Sequence, residues 1–211
     1  GDDLLVYQGG ARYDGGGGSD TFYGDFSGTA QAVNWDVDAQ SFSQVDGVTV
    51  ANIERLLLAT GSGNDLIRAV SGGLSHDVGT GAGNDTVELG TGDDYVDSGA
   101  GDDTIKTGAG GDTVYAGSGD DVIDAGRGHG DIDGGEGFDT LLFDLGDQFS
   151  PLRLDVWTAQ GGYEYFSGSS ASFEALRTAL VGATSFAVRD YGFHSPVNVA
   201  YRNVEAVNWT A

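Results

Sequence analysis

The sequence predicts an all-β fold, a solenoid of short parallel strands, and three observations predict it. A nine-residue pattern, x-G-x-G-x-D-x-U-x with U a large apolar residue, starts at Thr80 and runs for seven consecutive units. Its second and fourth positions are glycine without a gap. An apolar residue recurs at every eighth position, which a solvated linker does not need.

Each column has a physical reason. The second-position glycines are Gly81, Gly90, Gly99, Gly108, Gly117, Gly126 and Gly135, and the fourth-position ones are Gly83, Gly92, Gly101, Gly110, Gly119, Gly128 and Gly137. Glycine tolerates positive φ, so six residues can form a tight turn with inward-facing carbonyls. The eighth column, Val87, Val96, Ile105, Val114, Ile123, Ile132 and Leu141, puts one apolar side chain per unit inside, at the centre of a three-residue strand. Two units close one coil, so same-side units lie 18 residues apart.

The sixth column carries Asp85, Asp94, Asp103, Asp112, Asp121 and Asp139, broken once by Gly130. Coil closure stacks Asp85, Asp103, Asp121 and Asp139 on one edge and Asp94 and Asp112 on the other. Carboxylates about 4.8 Å apart, the spacing of neighbouring strands, repel by roughly 3 kcal/mol at an effective dielectric near 20. The whole chain carries 33 acidic against 9 basic residues, a net charge of −24, so a cation is the expected partner. Oxygen-only donors select a hard cation of flexible coordination, Ca²⁺ over Zn²⁺, copper or Mg²⁺.

These repeats resemble the repeats-in-toxin (RTX, hemolysin-type) family, whose signature is G-G-x-G-x-D-x-U-x. The resemblance implies a right-handed parallel β-roll, a β-solenoid with several calcium ions between its turns. Each ion then sits between sixth-position carboxylates, with backbone carbonyls near Gly81, Gly83, Gly90, Gly92, Gly99, Gly101, Gly108, Gly110, Gly117 and Gly119 completing its shell. At Gly130 the resemblance implies a site that is weak or rebuilt with Asp131.

Upstream the repeat degenerates. Residues 71–79 keep Gly72 and Val78 but place Leu74 and His76 where Gly and Asp belong, so no standard site is expected there. Residues 60–68 restore Gly61, Gly63, Asp65 and Ile67 with a two-residue shift, and another unit runs from Gly15 through Asp20, Thr21 and Phe22 to Tyr23. Asp3 and Leu5 end a further unit. Asp65, Asp20 and Asp3 thereby join the expected calcium ligands. The opening Gly1-Asp2-Asp3-Leu4-Leu5 and the absence of Met give the chain the look of an excerpt.

A longer repeat links the flanks. Asp20-Thr21, Asp25 and Asp36-Val37 match Asp139-Thr140, Asp144 and Asp155-Val156 at a constant offset, and Val50-Ala51-Asn52-Ile53-Glu54-Arg55-Leu56 resembles Val199-Ala200-Tyr201-Arg202-Asn203-Val204-Glu205-Ala206-Val207 apart from two added residues. This form resembles the spacer that joins nonapeptide blocks in long secreted repeats-in-toxin proteins. The expected organisation is partial repeats over 1–28, a spacer β segment over 29–59, the main roll over 60–142 and a second spacer over 143–211. Within the last, residues 161–198 form an aromatic-rich insert with one short helix over 172–181, ending at Gly182. It is expected to cap the roll; the alternative is a platform for a glycan or peptide ligand.

Other functions are poorly supported by the sequence. Clustered Lys and Arg are missing, which argues against nucleic acid, and no apolar run is long enough to insert in a membrane. There is no Cys, no H-E-x-x-H and no G-x-S-x-G; His76, His129 and His194 are read as surface or packing residues. The chain is therefore not expected to be an enzyme. The expected role is a structural and secretion segment of a large, type I-secreted adhesin or surface protein of a Gram-negative bacterium, folding on calcium outside the cell beside neighbouring modules of its parent chain. The alternative is the secretion and folding tail of an exoenzyme or toxin.

Overall fold

In the computed structural model, residues 1–10, 12–37, 48–124, 126–144, 152–158, 163–167, 183–190, 198–202 and 206–210 are described, with side chains as far as Leu142 apart from residues 127–129. They form an all-β parallel solenoid of about seven turns, and no helix occurs among the described residues. The helix expected over 172–181 lies outside them.

One face of the coil is built, in order, from Leu4–Val6, Thr21–Asp25, Arg55–Ala59, Asp77–Gly79, Tyr95–Asp97, Ala109–Ser118 and Arg127–Glu136, each parallel to the next. The opposite face runs from Asn34–Asp36 through Leu66–Ala69, Thr86–Leu89, Thr104–Lys106, Val122–Asp124 and Thr140–Asp144 to Ala206–Thr210. The first face continues past Arg127–Glu136 into Asn198–Arg202, which pairs with Ala183–Asp190, and the latter with Leu152–Thr158. Tyr163–Ser167 closes that antiparallel extension. Arg12–Asp14 and Thr49–Ala51 form a separate parallel pair.

The eighth-column side chains make the axis of the core. Val87, Val96, Val114, Ile123, Ile132 and Leu141 have no exposure and Ile105 has 1%, so the interior is one apolar stripe per face. Their registers, Val87↔Ile105 and Val96↔Val114, confirm the 18-residue coil. At the other end of the coil stack Phe22, Phe26 and Trp35 fill the interior, with Phe22 and Trp35 rings 4.9 Å apart.

Two departures from the simple period have local causes. Ile67 pairs with Val87, 20 residues on, because two extra residues are taken up around Ser71, Gly72 and Gly73, where both glycines have positive φ. Residues 71–79 are nonetheless a full member of the stack: Val78 is buried and Asp77–Gly79 keeps the register of Tyr95–Asp97. Ala109–Ser118 and Arg127–Glu136 are ten-residue strands where three-residue strands are expected, since their pairing runs through the corner, Asp112 facing Gly130. A Cβ at Gly130 would meet the Asp112 carbonyl, so the two coils approach there as only glycine allows.

Candidate metal centre

The turns on each edge bring the sixth-position residues into a column, and one hydrogen bond sets their geometry. Each residue donates its backbone N–H to the carboxylate one coil further on. Asp65 donates to Asp85 Oδ1 (2.7 Å), Asp85 to Asp103 (2.8 Å), Asp103 to Asp121 (2.8 Å) and Asp121 to Asp139 (2.9 Å). On the other edge Asp94 donates to Asp112 Oδ1 at 3.0 Å. Sequence spacing places these side chains on the two edges correctly; the turn then pulls every carboxylate back over the preceding coil.

That bond occupies one oxygen and leaves the other. The Oδ2 atoms of Asp20, Asp85, Asp94, Asp103 and Asp121 are buried and have no hydrogen-bond partner. Asp85, Asp94, Asp103, Asp121 and Asp139 are each at most 2% exposed. Such a set is unfavourable as it stands, because a buried carboxylate oxygen needs a donor or a cation. Burial, with neighbouring carboxylates adding to it, pushes Asp103 up to about 7 and Asp94 up to about 6. Desolvation also raises Asp65, Asp85, Asp112 and Asp121.

The glycine turns supply neutral oxygens beside these carboxylates. Gly99 and Gly101 have φ of 93° and 131°, and a Cβ on either would run into the carbonyl of Gly81 or Gly83 one coil back. The same contact repeats from Gly117 to Gly99 and from Gly119 to Gly101, and on the other edge from Gly108 to Gly90 and Gly110 to Gly92. Second-position carbonyls each accept one N–H from the next coil, as Gly81 from Ala100 and Gly90 from Ala109, both at 2.8 Å, which leaves a lone pair on each. Among the described residues no three acidic or histidine side chains converge on one point. A cation in the column must therefore combine carboxylate with backbone oxygen. That donor set, all hard oxygens with flexible geometry, fits calcium.

The remaining predicted residues differ from this pattern. Asp65 Oδ1 accepts the N–H of Val33 at 2.7 Å and its Oδ2 lies against the Thr60 hydroxyl, so both its oxygens are engaged. Asp3 is exposed and donates its N–H to Asp20 Oδ1 at 2.7 Å. Asp131, opposite Thr113 in the strand, is exposed and stands outside the sixth column.

Three features of the edges escape the sequence reading. His76 occupies the sixth position of its coil at 3% exposure: its Nδ1 accepts the N–H of Leu56 (3.1 Å) and its own N–H goes to Asp94 Oδ1 (2.7 Å). First-position side chains are buried, and Ser98 Oγ donates to the Ala116 carbonyl at 2.8 Å. Fifth-position side chains make an exposed ladder in the reverse sense, in which Asp102 accepts the N–H of Asp120 and Asp120 that of Phe138, both at 2.9 Å. The Asp102-Asp103 dipeptide thus divides its labour, Asp102 joining coils at the surface and Asp103 facing the buried column. Such alternation could have been found in sequence from the Asn84, Asp102, Asp120 series.

Residues 80–105 and 106–141 match the RTX calcium-binding nonapeptide repeat, in four copies. Comparison with curated proteins gave no match. Helices long and apolar enough to cross a membrane are absent from the described residues. The unbroken glycine and apolar columns, the two carboxylate edges and the family match agree on the same stretch: residues 80–141 are RTX calcium-binding nonapeptide repeats, a structural and non-catalytic kind of module.

Proposed function

We propose that calcium ions lie along the two aspartate edges between successive turns, and that binding them folds this chain after export. The observation that carries the proposal is the row of buried Oδ2 atoms without a partner on Asp85, Asp94, Asp103 and Asp121. Asp85, Asp103, Asp121 and Asp139 serve one edge and Asp94 with Asp112 the other, joined by turn carbonyls. Extracellular calcium modules bind with dissociation constants of roughly 10⁻⁴ to 10⁻³ M. At calcium about tenfold above that constant each ion contributes about 1.4 kcal/mol, so several ions together approach the stability of a whole domain.

On this reading the chain is a structural segment of a large exported surface protein. The spacer segments 29–59 and 143–211 join the main roll, 60–142, and the partial repeats, 1–28, to neighbouring modules. The support is the net charge of −24, which opposes compaction where calcium is scarce, and the spacer-like pattern that recurs on both sides of the roll. Isothermal titration of the chelator-treated chain tests the ion assignment, with magnesium as the comparison. Uptake of several calcium ions and much weaker magnesium binding are expected. No calcium uptake would overturn the proposal.

A further inference from the structure

The sixth-position ladder does not stop at the nonapeptides. Asp20 has no exposure; its Oδ1 accepts the Asp3 N–H and its Oδ2 is buried without a partner. Its own backbone N–H donates at 2.8 Å to Glu54 Oε2, a residue 34 positions on that belongs to no nine-residue unit. This is the bond that Asp103 makes to Asp121 in the regular roll. The Asp20 carbonyl in turn accepts the N–H groups of Glu54 and Arg55, both at 3.0 Å, so Glu54 is locked against the coil of Asp20.

A backbone oxygen faces the same place. Asn52 is the one non-glycine residue of positive φ among the described residues, at 53°, and its side-chain amide is held by Asp14 Oδ1 at 2.7 Å. That conformation turns its carbonyl towards Gly15: a Cβ there would meet the Asn52 oxygen and come within 2.7 Å of the Asp20 carboxyl carbon. Gly15 thus keeps open a cradle flanked by the Asp20 carboxyl group and the Asn52 carbonyl, and the half-buried Glu54 carboxylate accepts the Asp20 N–H. The pair recurs in sequence as Asn203 and Glu205, and Ala206, the next residue, pairs with Thr140, the residue after Asp139.

We propose that Asp20 and Glu54, with the Asn52 carbonyl, form a further calcium site outside the nonapeptide block, in which the spacer glutamate takes the part of a next-coil aspartate. It rests on the reading that the sixth-position column holds calcium. Two carboxylates and a carbonyl are hard oxygen donors of the kind that calcium takes.

Counting the ions bound to the full 211-residue chain by native mass spectrometry in calcium tests this. Glu54→Gln keeps an acceptor for the Asp20 N–H but loses the charge, and is expected to carry one ion fewer than the unmodified chain. Asp20→Asn should lose the same ion, and the double variant no more than either single one. An unchanged count in Glu54→Gln, or two ions lost in the double variant, would overturn the site while leaving the roll intact. An unmodified chain that carries no calcium would overturn both readings.

Discussion

Asp85 donates its backbone N–H to Asp103 Oδ1, 18 residues on, at 2.8 Å, while Asp103 Oδ2 is buried without a partner. One oxygen of the carboxylate joins coil to coil; the other is left for a cation or a proton.

Asp103→Asn keeps an acceptor for the Asp85 N–H but removes the charge shared by two neighbouring sites. Calcium affinity at those sites is expected to fall at least about tenfold, or about 1.4 kcal/mol each. Asp102→Asn, at the exposed fifth position, keeps the amide oxygen that accepts the Asp120 N–H and should leave affinity within about twofold, since exposed charges are well screened. Calorimetric titration of both variants decides it; equal losses would count against the separate roles of the two aspartates.

Stability without metal should depend on pH in an unusual direction. Asp94 and Asp103 are raised from 3.8 to about 6 and about 7, mainly by burial, so the folded chain holds protons that the unfolded chain has released. Their contribution to the metal-free fold is therefore complete below 3.8 and is lost as pH rises through about 6 and about 7. With chelator present, acidification from pH 8 to pH 5 should increase β-structure, measured by circular dichroism. Calcium affinity should fall over the same interval, because protons compete for the same oxygens.

Gly101→Ala combines a φ of 131° with a Cβ directed at the Gly83 carbonyl. Backbone strain alone costs about 1–3 kcal/mol. A fall of several degrees in melting temperature is expected in saturating calcium, larger than for alanine at the exposed Gly16, where a Cβ meets nothing within 4 Å. The difference combines the close approach of coils with the more strained backbone of Gly101, φ 131° against 82°.

The outer face of the second sheet carries a column of alternating charge. Arg68 lies 3.8 Å from Asp36 and 3.1 Å from Glu88, and Lys106 lies 3.3 Å from Asp124. These groups are partly exposed, so Arg68→Ala should cost under about 1 kcal/mol. Arg68→Glu places three like charges in adjacent coils and should cost more, a difference that salt reduces. Chemical denaturation in calcium at low and high ionic strength measures it.

Much of this architecture is legible in sequence because each column has one chemistry. Seven eighth-position residues, from Val87 to Leu141, are all buried as the period implies, and the sixth-position aspartates from Asp85 to Asp139 line the two edges. Spacing alone does not reveal what a coil tolerates. His76 sits in a sixth position and holds the ladder because a ring nitrogen can accept the same N–H that a carboxylate would. Gly130 reads as a lost ligand, whereas the contact with the Asp112 carbonyl shows that backbone proximity demands it. Glu54 lies 34 residues from Asp20, beyond any nine-residue frame, so only the folded chain pairs them.

Circular dichroism during calcium titration into the chelator-treated chain tests the central claim most directly. The account predicts weak β-signal in chelator and a single cooperative rise as calcium reaches roughly 10⁻⁴ to 10⁻³ M. A β-signal already complete in chelator at neutral pH, and unchanged by calcium, would contradict it.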